Sequence, residues 1–386
     1  MPVWHEATRE LRESGKLQLI GIVQEQHADR AKLYAQWKKF EWPILVDSLN
    51  LLEVAAVPIV LLLDEQGIVK SVLRNPNEDL PQVLQTMEAV LPTAPADSIP
   101  KQPHIAEIES VRDLILFQEP PQYTEAVSRL ERLIEADSQN GPVHFAHGVA
   151  LRARFDSDQR QDGDFQRAVR SWQSALDIDP NQYIWRHRIQ QYGPPSDKPY
   201  PFYDWIDEAR REIAARGNVP VALVADLTAS ELAKPLKTSN RDKEAPSHPD
   251  ADGRITRDHE LIETEETVVP PQPYAGEPAH VYVSFRPNLE IDAHWNNESE
   301  PMTVYLDLPV GWSVDKRLIV LPVPRAAVSE ESRTVEFDLL LPHRHAEIAE
   351  VQAFALYNVC KGATGECLYR RQDFVIQFAQ PPLGPK

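Results

Sequence analysis

Hydrophobic periodicity changes twice along these 386 residues, and no single core accommodates all three patterns. Up to about residue 92, short apolar runs alternate with helical stretches. From about 104 to 232 the pattern is helix after helix. From about 262 to 380 apolar residues recur with period two, as in half-buried strands. The chain therefore reads as a multidomain α/β + α + β protein. Its divisions are an α/β segment at 1–92, a helical region at 104–232, a polar linker at 233–261 and a β-sandwich at 262–380.

Composition excludes several classes. The formal net charge of −19 argues against nucleic acid as a partner, since such partners need a basic surface. No apolar run reaches the roughly 18–20 residues of a membrane span, so no transmembrane segment is expected. The only cysteines, Cys360 and Cys367, exclude a disulfide scaffold and a four-thiolate zinc site. Gly-rich phosphate loops, Gly-x-Ser-x-Gly and His-Glu-x-x-His are absent, and no cofactor is expected. The pair His343 and His345 could face one metal, but no third ligand is marked, so no metal site is assigned. Asp226, Glu231 and Glu263 to Glu266 read as solvated charge.

In the α/β segment, Trp4 through Ser14 reads as a helix. Leu17 to Val23 reads as a strand buried on both faces, and Asp29 to Phe40 as a second helix with Ala31, Tyr34 and Ala35 inward. Trp42 to Val46 is a short apolar segment. Ile59 to Leu63 and Ile68 to Leu73 form a strand–turn–strand unit around Asp64-Glu65-Gln66-Gly67, and Leu80 to Leu91 reads as a closing helix. Between them lies Val57-Pro58, an X-Pro bond before an apolar strand, where a cis peptide is to be suspected. A strand opening with proline leaves backbone free to dock another chain, so Val57 and Pro58 are the candidate substrate-backbone docking site.

This order, with Val57-Pro58 at its centre, resembles the C-terminal three-quarters of a thioredoxin-like redoxin domain. Members of that family carry Cys-x-x-Cys at the start of their first long helix, and Met1-Pro2-Val3-Trp4 sits just beyond that point. No catalytic residue is assigned to residues 1–92, and they are expected to lack reductase activity. With the first strand missing, the segment is also expected to expose apolar edges and to be poorly soluble alone.

In the helical region, Ala126, Leu130 and Leu133 share their spacing with Ala168, Trp172 and Ala175. The second set runs into Asp179-Pro180-Asn181 and resembles the second helix of a tetratricopeptide repeat. Gly148 and Ala150 suit that repeat's first helix, and an acidic insertion at 156–163 breaks its period. Either a peptide-binding groove or a plain helical spacer satisfies the pattern. Trp185, Tyr192, Tyr200, Phe202, Tyr203 and Trp205 form an aromatic cluster suited to packing a helix end or lining a groove.

The last segment carries both cysteines in one late hairpin, Tyr357-Asn358-Val359-Cys360 to Glu366-Cys367-Leu368-Tyr369, where paired positions lie within disulfide reach. Gly362 and Gly365 supply positive backbone angles for the reversal. This hairpin, with His294-Trp295-Asn296, resembles the immunoglobulin-like N-terminal domain of bacterial transmembrane thiol:disulfide interchange reductases. The resemblance implies that Cys360 and Cys367 exchange electrons with protein thiols or disulfides; a structural staple is the other reading. Two functions follow from these likenesses. One is a thioredoxin-family protein of a thiol:disulfide exchange or antioxidant pathway, lacking reductase activity in this form. The other is a non-enzymatic protein that binds peptide or protein partners through a dead thioredoxin fold and helical repeats. The compartment stays open, extracytoplasmic (periplasmic) if the N-terminus is incomplete.

Overall fold

The structure, a computed structural model, describes residues 8–73, 103–236, 246–273, 276–342, 350–362 and 366–378. It combines helices with several antiparallel sheets and forms two compact units built from interleaved segments. The first comprises Met1–Asp156, Ser174–His187 and Trp205–Asp226; the second comprises Ser157–Gln173, Arg188–Asp204 and Leu227–Lys386.

In the first unit, α1 (Arg9–Glu13) leads into β1 (Gly21–Val23), α2 (Ala28–Lys38) and β2 (Ile44–Val46). β1 and β2 pair in parallel through a helical crossover, with Gly21 opposite Ile44. β3 (Val60–Leu63) and β4 (Val69–Leu73) form an antiparallel hairpin. The Asp64 carboxylate accepts the N–H groups of Gln66 and Ile68, and Gly67 takes the positive φ the turn requires. The Val57-Pro58 peptide is cis, as suspected from sequence.

Two expectations for this segment are corrected. The stretch ending at Val23 is not buried on both faces, because β1 has β2 as its only strand partner among the described residues. Ile20 and Ile22 are accordingly about half exposed. The buried line of α2 is Arg30, Leu33 and Trp37 rather than Ala31, Tyr34 and Ala35. Trp37 sets that rotation, stacking on Trp205 at 5.7 Å and donating its indole N–H to Glu212 at 2.7 Å. The helix expected from Trp4 to Ser14 is described from residue 8 and contains α1; residues 4–7 and the helix expected at 80–91 lie outside the described residues.

The helices continue with α3 (Pro103–Arg112), a π-helical turn at 113–117, α4 (Tyr123–Ala136) and α5 (Gly141–Phe155). The Asn140 side chain caps α5 by accepting from the Val143 N–H. α6 (Asp164–Ile178), α7 (Tyr183–Tyr192), α8 (Ile206–Ala215) and the single turn α9 (Ala229–Leu232) follow. Ala126, Leu130, Ala168, Trp172 and Ala175 are all fully buried. The acidic insertion opens on a buried residue: Asp156 accepts from Arg152 and lies 2.8 Å from His27. Burial alone would raise its pKa, but these two partners outweigh it and hold the carboxyl at about 2. The aromatic cluster divides instead of lining one groove. Trp185 stacks on Phe145 and Trp205 on Trp37, while Tyr192 stacks on Trp172.

The second unit carries two antiparallel sheets. Their strands are β5 (Ile262–Val269), β6 (Pro278–Pro287), β7 (Ala293–Asn296), β8 (Thr303–Asp307), β9 (Ser313–Val314), β10 (Leu318–Val320), β11 (Val328–Ser329), β12 (Arg333–Leu340), β13 (Glu350–Lys361) and β14 (Glu366–Gln377). One sheet runs β5-β6-β12-β9. The other runs β10-β8-β13-β7-β11, with β14 on the opposite edge of β13. Val281, Val283, Phe285 and Phe337 of the first sheet meet Trp295, Ala355, Tyr357 and Val359 of the second in one core.

Alternation predicts one solvated face for β6, yet most of its residues are buried on both sides. Phe165 and Tyr192 cover the outward side at Tyr282, whose hydroxyl donates to the Tyr192 carbonyl at 2.8 Å. The region expected as a solvated linker is mostly exposed where it is described, but it packs at a few points. His248 and Ile255 lie over Tyr305 and Phe354, and Asp250 pairs with Arg371 at 2.8 Å. No helix among the described residues is long and apolar enough to cross a membrane.

A candidate thiol–disulfide site

β13 is paired along both edges, which fixes everything at its C-terminal end. On one edge Cys360 stands opposite Cys367 of β14, and the two are joined in a disulfide. On the other edge Cys360 stands opposite His294 of β7. Directly opposed residues of an antiparallel pair bring their Cβ atoms to about 4.5–5.5 Å, so register puts the His294 and Cys360 side chains on one face of the sheet. Gly362 has the expected positive φ and its N–H donates to the Asp292 carbonyl at 3.0 Å, tying the hairpin end to the turn before β7. Gly365 lies outside the described residues.

The two sulfurs differ in access. Cys360 is 3% exposed, whereas Cys367 is exposed. Asn358 and Tyr369, the next opposed pair on the same face, flank the bond. Asn358 donates to the Glu300 carbonyl at 3.1 Å, and Tyr369 is 41% exposed. Burial, then the Glu300 and Asp250 carboxylates, raise the Tyr369 pKa, so the phenol stays protonated at neutral pH. An incoming thiolate therefore meets Cys367 first, with Cys360 as the shielded leaving sulfur.

The other sequence candidates fall elsewhere. Val57 and Pro58 are exposed in the first unit, while both cysteines belong to the second. His343 and His345 lie outside the described residues, and among the described residues no group of three or more His, Cys, Asp or Glu could hold a metal.

One charged cluster escaped the sequence reading. Fully buried His280 places Nδ1 at 2.7 Å from Asp338 and Nε2 at 3.1 Å from Glu336. Glu336 also accepts the N–H groups of Ala229 and Ser230 at the start of α9. Burial would lower the His280 pKa, but its hydrogen bonds to Asp338 and Glu336 outweigh that and raise it. Lys198 donates to the Gln190 and Gln191 carbonyls, and its burial lowers its pKa to about 8. Glu231, expected as solvated charge, is corrected: it is fully buried, closes a capping box with Thr228 and accepts from Gln191 at 2.9 Å. Glu265 is half-buried against Arg160, while Asp226 is exposed as expected. The sequence did hold a signal for the cluster. Thr228-Ala229-Ser230-Glu231 has the capping-box pattern, and the polar residues 280, 282 and 284 alternate like 336 and 338 on the neighbouring strand.

No protein-family model and no curated protein matches the chain. Among solved structures, the crystal structure of Spo0M, a sporulation control protein from Bacillus subtilis, is similar over 31% of this chain at 9% identity and a TM-score of 0.16. The similarity spans 50% of that protein's length, too slight to bear on fold or function.

Proposed function

We propose that the protein serves a thiol:disulfide exchange or antioxidant pathway, and that the Cys360–Cys367 hairpin carries the exchange. The observation that supports this most is the asymmetry of the bond: an exposed Cys367, a buried Cys360 and an imidazole opposite the buried sulfur. A donor thiolate attacks Cys367 Sγ, forming a mixed disulfide, and the S–S electron pair leaves on Cys360 Sγ. The donor's second thiolate then attacks its own mixed-disulfide sulfur, leaving the donor oxidised and both hairpin cysteines reduced. The His294 side chain, on the same sheet face as Cys360, stabilises the Cys360 thiolate by hydrogen bonding. In this reading residues 1–92, which hold no cysteine, are a thioredoxin-like segment without exchange chemistry of its own, and the sandwich is of the interchange-reductase type. The expected partners are protein thiols or disulfides.

A Cys360→Ser variant tests the reaction. It leaves a lone exposed Cys367, which should attack a single-cysteine thioredoxin activated as its mixed disulfide with thionitrobenzoate, forming the intermolecular disulfide and releasing thionitrobenzoate, at a rate near that of a free small thiol. A Cys367 thiol that reacts at least about a hundred-fold more slowly, in the inert range of buried cysteines, contradicts the proposal.

A second reading, partner binding by the α/β and helical parts, is favoured by a specific observation. Ile22, Leu45, Leu61 and Val72 are each 44–59% exposed on the two small sheets of the first unit. Ile22 lies opposite Leu45 and Leu61 opposite Val72, so each sheet carries an exposed apolar pair of the kind found at interaction surfaces. Pull-down of defined apolar peptides by the wild type, lost in Leu61→Ser, would support it; equal capture by both would remove it.

A further inference from the structure

His294 of β7, Cys360 of β13 and Cys367 of β14 are opposed in turn, so they form one row across the sheet. The row ends at β14, whose only strand partner among the described residues is β13. The Cα atoms of Cys360 and Cys367 lie 3.9 Å apart, the close spacing of an antiparallel pair that does not exchange backbone hydrogen bonds. The N–H and C=O of Cys367 therefore turn away from β13, toward the outer edge. By the period of the strand, Tyr369 and Arg371 present theirs the same way. At Arg371 this edge is already in use. Its N–H donates to the Thr256 carbonyl at 3.0 Å, its carbonyl accepts from the Asp258 N–H at 2.9 Å, and Arg257 forms a parallel bridge to it.

The edge thus takes an extended segment, and that segment stops short of the disulfide. The N–H groups of Arg254 and Ile255 are drawn onto the Asp250 carboxylate, and Ile255 packs against the cluster of Tyr305 and Phe354. Cys367 and Tyr369 remain as exposed edge. The Tyr369 carbonyl accepts from the Arg370 guanidinium at 3.0 Å, an exposed contact that an incoming strand can displace. A strand laid along this stretch places its residue opposite Cys367 in the same row, on the far side of Cys367 from Cys360. Displacement at a disulfide sulfur brings the nucleophile in opposite the leaving sulfur, so a cysteine at that position approaches from the required side. Backbone pairing at an open edge selects a polypeptide over a small thiol. Charge narrows the choice: Glu366 is exposed, the Glu300 carboxylate acts on Tyr369 and the chain carries −19, so an acidic segment is repelled.

We infer that the outer edge of β14 at Cys367 and Tyr369 docks a neutral or basic extended polypeptide segment as an added antiparallel strand, with the segment's cysteine opposite Cys367. This docking rests on the exchange reading proposed above and names the form its substrate takes. The segment's thiolate bonds to Cys367 Sγ while the S–S electron pair leaves on Cys360 Sγ. A second thiolate then attacks the segment's sulfur, releasing Cys367 and leaving the partner oxidised.

The test mixes the wild-type full chain with excess free-thiol probe and follows reduction of Cys360–Cys367 by alkylation and mass spectrometry, with rates normalised to each probe's thiolate. The probes are acetyl-Lys-Val-Cys-Val-Lys-amide, two forms of it methylated on one backbone nitrogen, and N-acetylcysteine methylamide, which lacks flanking residues. In an added antiparallel strand the cysteine N–H points at Cys367, whereas the N–H of the following valine points to solvent. The pentapeptide should react about ten-fold faster than N-acetylcysteine methylamide. Methylating the cysteine nitrogen should slow it about ten-fold, the order expected for one lost hydrogen bond, and methylating the valine nitrogen should leave its rate unchanged. Equal rates for the pentapeptide and N-acetylcysteine methylamide, or equal losses from the two methylations, overturn the docking and leave the exchange reading standing. A bond that no probe reduces, dithiothreitol included, overturns the exchange reading and the docking with it.

Discussion

Val281, Val283 and Phe285 in β6 and Ile22, Leu45 and Leu61 in the first unit are the same kinds of residue in short strands. The first three are fully covered and the second three about half exposed. β6 is paired on both sides, with the second sheet over its inner face and Phe165, Tyr192 and α9 residues over its outer one. β1, β2, β3 and β4 each have a single strand partner among the described residues. Burial of an apolar strand is thus a property of the layers around it. An identical local pattern yields a core in one unit and an open surface in the other.

The largest way to test that contrast is truncation of a covered residue against an open one. Phe285→Ala removes a ring packed edge-on against Phe374 in the sandwich core and should cost about 3–5 kcal/mol, read by denaturant unfolding of the second unit. A loss under about 1 kcal/mol would mean the two regions are equally loose.

The next largest effect concerns the polar side of the same coverage. His280→Gln leaves Asp338 and Glu336 facing each other without their cation and should cost about 3 kcal/mol near neutral pH. Because the folded pKa of His280 is raised, its contribution is fully present below 6.5 and is lost as pH rises through the folded value. Lys198 runs the other way. Its folded pKa of about 8 lies below 10.5, so burying it charged is unfavourable below 8 and that penalty fades between 8 and 10.5. Wild-type stability of the second unit should therefore fall above pH 6.5, with a slope that His280→Gln abolishes; an unchanged slope would exclude His280 as its source.

In the first unit, Asp156→Asn should cost about 2 kcal/mol at neutral pH, the equivalent of lowering a carboxyl from 3.8 to about 2. That stability is present above 3.8 and disappears as pH falls through 2, so the variant should flatten acid unfolding between those limits. Urea titrations at several acidic pH values measure this.

The smallest expected effect is on the open surface. Leu61→Ser should change stability by no more than about 0.5 kcal/mol while raising the concentration at which the chain stays monomeric, seen by light scattering. A loss of 2 kcal/mol would show that Leu61 is covered.

Patterning made the strands and most helices legible, down to Ala168, Trp172 and Ala175, each fully buried, and to the cis bond at Val57-Pro58. It could not say which strands find a second layer, and so placed Leu17 to Val23 inside a core. The orientation of α2 was missed because Trp37 answers to Trp205 and Glu212, nearly 170 residues away or more. The pairing of Cys360 with Cys367 was readable from hairpin spacing; the placement of His294 beside them depends on β7 joining the far edge of β13, a long-range register no local pattern encodes. Glu231 was misjudged because a charged residue in a polar stretch reads as solvated until its capping box and Gln191 are in view.

The reduction potential of Cys360–Cys367, measured on the full chain by alkylation trapping in glutathione buffers, tests the central claim most directly. The account predicts a couple in the exchange range, about −250 mV or higher, and a lower potential in His294→Ala, where the thiolate loses its neighbour. A potential below about −300 mV would make the bond a structural staple and contradict the proposed function.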